Sequence, residues 1–248
     1  MIHVNAVVRS FGSLRAVDDV SFRIEAGEIV GFLGPNGAGK STLLRMMATF
    51  LPPCSGRIEI AGHDTQRQSL EARARLGYLP EHNSLYERMH VVQLLRFIGR
   101  SRGLEGKLLE ERLDWVADNC QLQAIWKRRV RDCSKGYRQR VGLAAALIHD
   151  PPVLLLDEPT HGLDPIQVVA LREFLHELRP GRAILFSSHI LAEVAQMSDR
   201  LLVINNGQLC MDAGVAQLEE QAHQAGETLE SLVIAEIAAT SKSGEVRA

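Results

Sequence analysis

No apolar run in this chain approaches the roughly 18 residues that would suggest a membrane-spanning helix. The N-terminus, MIHVNAVVRSFGS, lacks the basic start and long apolar core of a secretory leader. The four cysteines, Cys54, Cys120, Cys133 and Cys210, include no C-x-x-C pair and have no histidine at ligand spacing, which argues against a disulfide framework or a zinc site. They read as reduced thiols of a cytosolic chain. A net charge of −2 over 248 residues offers no global attraction to nucleic acid or to an anionic lipid surface. No internal repeat is visible. What remains is ordinary globular material, 46% hydrophobic and 23% charged, long enough to bury a large core.

Against that plain background stands GPNGAGKST. It comprises Gly34, Pro35, Asn36, Gly37, Ala38, Gly39, Lys40, Ser41 and Thr42, and the helix-like run LLRMMATFL follows. Glycine admits positive φ and removes the Cβ that would block close approach. Such a loop ahead of a helix gathers backbone N–H groups at the positive end of the helix dipole, which makes an anion nest. The spacing fits the P-loop pattern, in which the lysine reaches the outer phosphates and the hydroxyl of Ser41 serves Mg²⁺. A chance match in a chain of this length has a probability of roughly one in a hundred.

The surrounding pattern supplies the context that this motif needs. Ile2–Val8, Val20–Ile24 and Glu28–Leu33 are short β-branched or apolar runs, with a turn at Ala26-Gly27. The third run enters the glycine loop directly, giving strand, P-loop, helix, and Pro52-Pro53 closes the helix. Arg57–Gly62 reads as a further strand and turn. From about Val91 the pattern turns helical, and Leu109, Leu113, Val116 and Cys120 repeat as one stripe. This helical insertion ends near Pro151. Val153–Leu156 then reads as a buried strand, Asp164-Pro165 as a helix start, Ala183–Ser188 as a strand and Ile190–Met197 as a helix. Asn206-Gly207 signals a hairpin. Residues 213–239 read as one or two amphipathic helices, and SKSGEVRA as a disordered end. Alternating strands and helices indicate an α/β fold with a mostly parallel sheet.

A phosphate site also needs a metal holder and a group that orients water. VLLLDE provides both at a strand end: Asp157 for Mg²⁺, and Glu158 to polarise water against the γ-phosphate.

GPNGAGKST, then SKGYRQRVGLAAALIHDPPVLLLDEPTHGLD, then SSH, in this order, resemble the ATP-binding subunit of an ABC transporter. The likeness rests on five separated motifs and covers about residues 2–212. It implies a P-loop NTPase core with an antiparallel β subdomain and a helical insertion at about 88–150, within an ATP-binding domain of residues 1–212. Residues 213–248 form a tail outside it. It also implies two such subunits, identical or paralogous, sandwiching two ATP molecules. Ser134 and Gly136 match the signature motif that closes on the partner's γ-phosphate, and a hydroxyl beside a bare backbone N–H at a helix start suits an anion. Asp164 matches the loop that contacts the partner subunit, and His189 the switch histidine that reaches the γ-phosphate. The family uses an aromatic residue against adenine; Phe11 fits that place, with Val17 as an apolar neighbour.

The departures from the family pattern are informative. Glu81 in GYLPE stands where many members have a glutamine that senses Mg²⁺ and meets the membrane subunit. GYLPE, SKGYRQR and GLDP together resemble the type-2 export branch, which includes drug, sodium and gliding-motility transporters. His161 replaces a commoner small or amide residue and is expected to be a neutral loop residue. Seven basic residues lie between Lys127 and Arg140. With no aromatic stacking platform beside them, they are expected at the nucleotide-sandwich interface and in surface charge balance, and no nucleic-acid partner is expected.

The expected function is an ATP-hydrolysing subunit, peripheral on the inner face of the membrane, that drives a separate integral permease, with ATP and Mg²⁺ as cofactors. The alternatives are a soluble ABC-type ATPase acting on nucleic acid or ribosomes, and a membrane-bound regulatory ATPase that does not transport. The contact with the permease is expected around Glu81 and the helical insertion, especially Asn83–Val92.

Overall fold

The structure, a computed structural model, describes residues 1–245, with side-chain surroundings through residue 238. A long hairpin, β1 (Ile2–Phe11) and β2 (Leu14–Ile24), leads into β3 (Ile29–Leu33), the P-loop and α1 (Lys40–Met47). Then follow β4 (Ser55–Ile60), β5 (His63–Asp64), α2 (Ser69–Ala74) and β6 (Leu76–Leu79). Three helices come next: α3 (Val91–Ser101), α4 (Gly106–Asn119) and α5 (Lys135–Leu147). The chain returns to alternation with β7 (Val153–Asp157), α6 (Pro165–Leu178), β8 (Ala183–Ser188), α7 (Leu191–Met197) and the hairpin β9 (Arg200–Asn205) and β10 (Gln208–Gly214). Helices α8 (Val215–Ala225) and α9 (Leu229–Glu245) finish it.

Two sheets result. One is antiparallel with order β2-β1-β4-β5; the other has order β10-β9-β3-β8-β7-β6, parallel except for β10. The central strands of the second sheet are apolar at nearly every position because both faces are covered. Val30, Phe32, Leu155 and Leu185 face the antiparallel sheet and the buried side of α1. Ile29, Leu33, Leu154, Leu156 and Phe186 face the helices. Alternation along each strand thus sorts one sequence into two cores. In the helical region the stripe Leu109, Leu113, Val116 and Cys120 is buried, and it joins the second of these cores.

Several details differ from expectation. The first hairpin is longer, turning at Gly12-Ser13, with Gly12 at φ 59°. Helix α1 ends before the prolines, at Met47, because Thr49 takes φ 65°. Thr49 N–H then reaches Met46 O and Phe50 N–H reaches Arg45 O, which closes the helix with its own carbonyls. Strand β6 and helix α2 had no counterpart among the expected elements. Helix α9 continues through Ser241 to Glu245, within the segment expected to be disordered, and residues 246–248 lie outside the described residues. Propagating a helix adds one bond per residue fixed, so continuation is easier than a new start. Among the described residues no helix is long and apolar enough to cross a membrane.

Candidate functional site

Four neighbouring parallel strands, β3, β8, β7 and β6, end on the same edge of the sheet. Just beyond their carboxyl ends stand the P-loop, His189, the Asp157–Glu158 pair and Glu81. Ligands of open α/β sheets bind at this edge because the loops there converge. There lies a cleft of about 580 Å³ whose walls include Phe11, Gly37, Lys40, Ser41, Glu81, Glu158 and His189, with Asp157 buried outside its lining.

The loop is shaped by what glycine alone tolerates. Gly37 and Gly39 have φ of 81° and 108°, and a Cβ on Gly39 would lie 2.3 Å from Ala16 O. Gly39 is the N-cap of α1, makes no side-chain cap bond, and no acidic residue occupies the first turn. The amides there are arranged for an anion instead. Lys40 is only 6% exposed, and its Nζ donates to Gly34 O at 2.6 Å and Pro35 O at 3.2 Å. Burial pulls its ammonium below the ordinary lysine value, while the carboxylates of Glu158, Asp157 and Glu81 oppose that shift.

Opposite Lys40, Ser187 organises the acidic pair. Its buried hydroxyl donates to Asp157 Oδ1 at 2.7 Å and accepts from the Glu158 amide at 2.9 Å. Ser41 Oγ reaches the same Asp157 oxygen at 3.2 Å. Glu158 sits at φ 50°, a left-handed conformation that costs a non-glycine residue about 1–2 kcal/mol. The Ser187 bond is part of what holds it there. His189 Nδ1 lies 3.0 Å from Glu158 Oε2. Burial raises the carboxyl groups of both Asp157 and Glu158 above the ordinary range; Ser187 and Ser41 oppose this at Asp157, and His189 at Glu158. A carboxylate in that state is a stronger proton acceptor.

For a cation, the local donors are a hydroxyl and carboxylates. Among the described residues no cluster of three histidine, cysteine or acidic side chains forms a ready cage. That donor set suits Mg²⁺, which keeps waters and takes phosphate oxygens among its ligands.

Phe11 lines the cleft from the tip of the first hairpin, 44% exposed, with the Arg9 guanidinium over its ring at 4.7 Å. Val17 does not accompany it: the side chain is fully buried in the core, paired across from Arg9. Leu14 and Ala16 line the cleft in its place, since strand alternation turns Val17 to the other face. Glu81 is also among the cleft's walls. Ser134, Gly136 and Asp164 are not among its walls. Ser134 caps α5 by accepting from Tyr137 N–H, and Asp164 caps α6 by accepting from Gln167 N–H at 2.9 Å. Gln167 also lies against Gly136, so the two helix starts abut.

His161 lines the cleft, and its Nε2 lies 3.0 Å from Lys135 Nζ. The basic run is divided. Lys135 reaches this rim, whereas Lys127, Arg128 and Arg129 are exposed on a segment that bonds to 87–92 through Val91 N–H to Arg128 O and Val130 N–H to Met89 O.

The family model for "ABC transporter" matches residues 17–161, from the second strand to the loop after Glu158. The chain belongs to the ABC transporter family. It is an ATP-binding subunit and an ATPase of that family. The ABC transporter ATP-binding protein NatA of Bacillus subtilis (strain 168) is 42% identical over 209 residues, covering 84% of this chain and 85% of the relative. The daunorubicin resistance ATP-binding protein DrrA3 of Streptomyces coeruleorubidus is 36% identical over 221 residues, covering 89% and 70%. A solved structure described as the ATP-binding subunit of an ABC transporter superposes with a TM-score of 0.87 at 29% identity, covering 95% and 99%.

Proposed function

We propose that this ABC ATPase is the motor of an export system, working as a dimer that encloses two ATP molecules and drives a separate membrane permease. The observation that carries the reading is the split of phosphate-binding features between two edges. Lys40, Ser41, Glu158 and His189 line one cleft, with Asp157 joined to it through Ser41, while Ser134 and Gly136 start a helix outside it. A second copy would bring its Ser134 edge to this cleft and complete the enclosure, with Asp164 at the contact.

In the cleft, Phe11 stacks against the base, the P-loop amides and Lys40 hold the phosphates, and Ser41, Asp157 and Glu81 would hold Mg²⁺, which would supply charge neutralisation to the phosphates. Glu158 accepts a proton from the attacking water as its oxygen bonds to the γ-phosphorus; the bond to the bridging oxygen breaks, and ADP and phosphate leave. With Nδ1 at Glu158, His189 reaches the γ-phosphate through its other ring nitrogen. The permease docks around Glu81 and Asn83–Val92, where Tyr86 and Phe97 are exposed side by side with ring centroids 5.8 Å apart. Export as the direction is supported by the resistance protein among the relatives. The subunit sits on the inner face of the membrane through that permease.

Glu158→Gln should nearly abolish hydrolysis while ATP still binds, and should accumulate a dimer by light scattering at saturating ATP. Captured from detergent-solubilised native membranes with ATP, it should retain an integral membrane protein. A monomer under these conditions would remove the self-sandwich, and ribosomes or DNA in its place would remove the permease.

A further inference from the structure

Glu158 and His189 lie 31 residues apart in the chain and stand on different strand ends. Their 3.0 Å contact therefore depends on whatever fixes the two loops against each other. Besides Ser187, which bonds the Glu158 amide, a second side chain spans both. Glu193, in the first turn of α7, accepts at Oε2 from Thr160 Oγ1 at 2.7 Å and from Ser188 Oγ at 3.2 Å. Thr160 is two residues beyond Glu158, and Ser188 immediately precedes His189. Ser188 Oγ also accepts from the Ile190 amide at 3.1 Å, so the peptide on both sides of His189 is tied to the same carboxylate. Thr160 and Ser188 are 8% and 1% exposed, which makes these hydroxyl bonds costly to leave unmade.

We infer that Glu193 is a positioning residue for hydrolysis: it clamps the loop after Glu158 to the loop carrying His189, and so sets the spacing of the two groups. The inference rests on the roles proposed above for Glu158 and His189. Ser187 and the β7–β8 pairing still hold the strand ends together; without the clamp the loops beyond them shift, and Glu158 leaves the line between water and phosphate. An acid in the first turn of α7 also favours the helix dipole. That simpler role would alter stability without acting through His189.

The experiment is steady-state ATP hydrolysis with nucleotide affinity measured separately. Glu193→Ala should lower kcat by about 10–100-fold, the scale of small misplacements at a reacting centre. ATP affinity should stay within about 2-fold of the parent, because neither Lys40 nor the P-loop is touched. Glu193→Gln keeps an acceptor oxygen without the charge and should recover most of the rate. In a His189→Ala background, Glu193→Ala should cost less than about 2-fold further, as expected for residues acting as a unit. Thr160→Val, which removes one donor at near-constant volume, should reproduce the loss and carries the test if Glu193→Ala does not fold. Equal losses with and without His189, an unchanged kcat in Glu193→Ala or Thr160→Val, or a Gln variant as slow as Ala would each overturn the clamp. Parental hydrolysis by Glu158→Gln or His189→Ala would instead remove the roles on which it rests.

Discussion

The P-loop cleft and the Ser134 edge each begin a helix, yet they are built in opposite ways. At the cleft, α1 has no side-chain cap, Lys40 is nearly buried, and Ser187 joins both acids by hydrogen bonds. At the other edge the hydroxyl of Ser134 and the carboxylate of Asp164 are spent on capping their own helices. The first arrangement holds its strained Glu158 through buried bonds from neighbouring strands. The second is two ordinary capped helix starts, and nothing in their own bonding marks them for ATP. The contrast teaches that the cleft is preorganised within one protomer, whereas any part the Ser134 edge plays depends on the dimer proposed above.

Removing the cleft's cation should have the largest effect. Lys40→Ala should weaken ATP binding by about 100-fold or more, the order lost when a preorganised charge donor to phosphate is deleted. Isothermal titration with ATP checks this, and unchanged affinity would break the comparison at its stronger end. Ser134→Asp tests the weaker end. Aspartate is as good an N-cap as serine, so α5 should persist, but its charge would oppose a phosphate arriving from a second copy. Hydrolysis should drop by about 10–100-fold and ATP-driven dimerisation should fade, with the melting temperature and the single-protomer affinity kept. Loss of affinity in the monomer would show that Ser134 serves its own cleft.

A smaller effect, outside both edges, sets the acid limit within which they can be compared. Burial, helped by the charge of Arg102, holds His149 neutral down to a pKa of about 4, against an ordinary 6.5, although its bond to Leu76 O works the other way. Between those values the unfolded chain binds a proton that the folded chain refuses. Stability is therefore full above pH 6.5 and falls as the pH drops towards 4, by about 2–3 kcal/mol. Melting temperatures of His149→Gln across that range should fall less steeply than those of the parent. An equal slope would assign the acid sensitivity elsewhere.

The features legible in the sequence were those in which chemistry is packed into contiguous residues. Nine residues fix the P-loop, and VLLLDE places two acids at a buried strand end by its pattern alone. Parity was harder. Val17 and Ala16 are neighbours, and a one-residue difference in a strand exchanges the faces. The irregular register of β1 and β2 between Val4 and Ser10 hides which of the two meets the cleft. Strand β6 went unseen because four residues containing a glycine carry little periodicity. Ser187, Thr160 and Glu193 are common polar residues whose significance is a set of distances between strand ends. His161 likewise gains its place only once Lys135 folds back to it.

Lys40 already holds two carbonyl oxygens of its own loop. A phosphate would therefore enter by exchange: the ammonium gives up Gly34 and Pro35 as it takes oxygens of the nucleotide. Affinity then measures the difference between two sets of bonds. The same stitch works in reverse when product departs, since the loop can lace itself shut around its cation instead of losing its shape. An ATPase whose cleft empties between turnovers thereby keeps its socket in form from one nucleotide to the next.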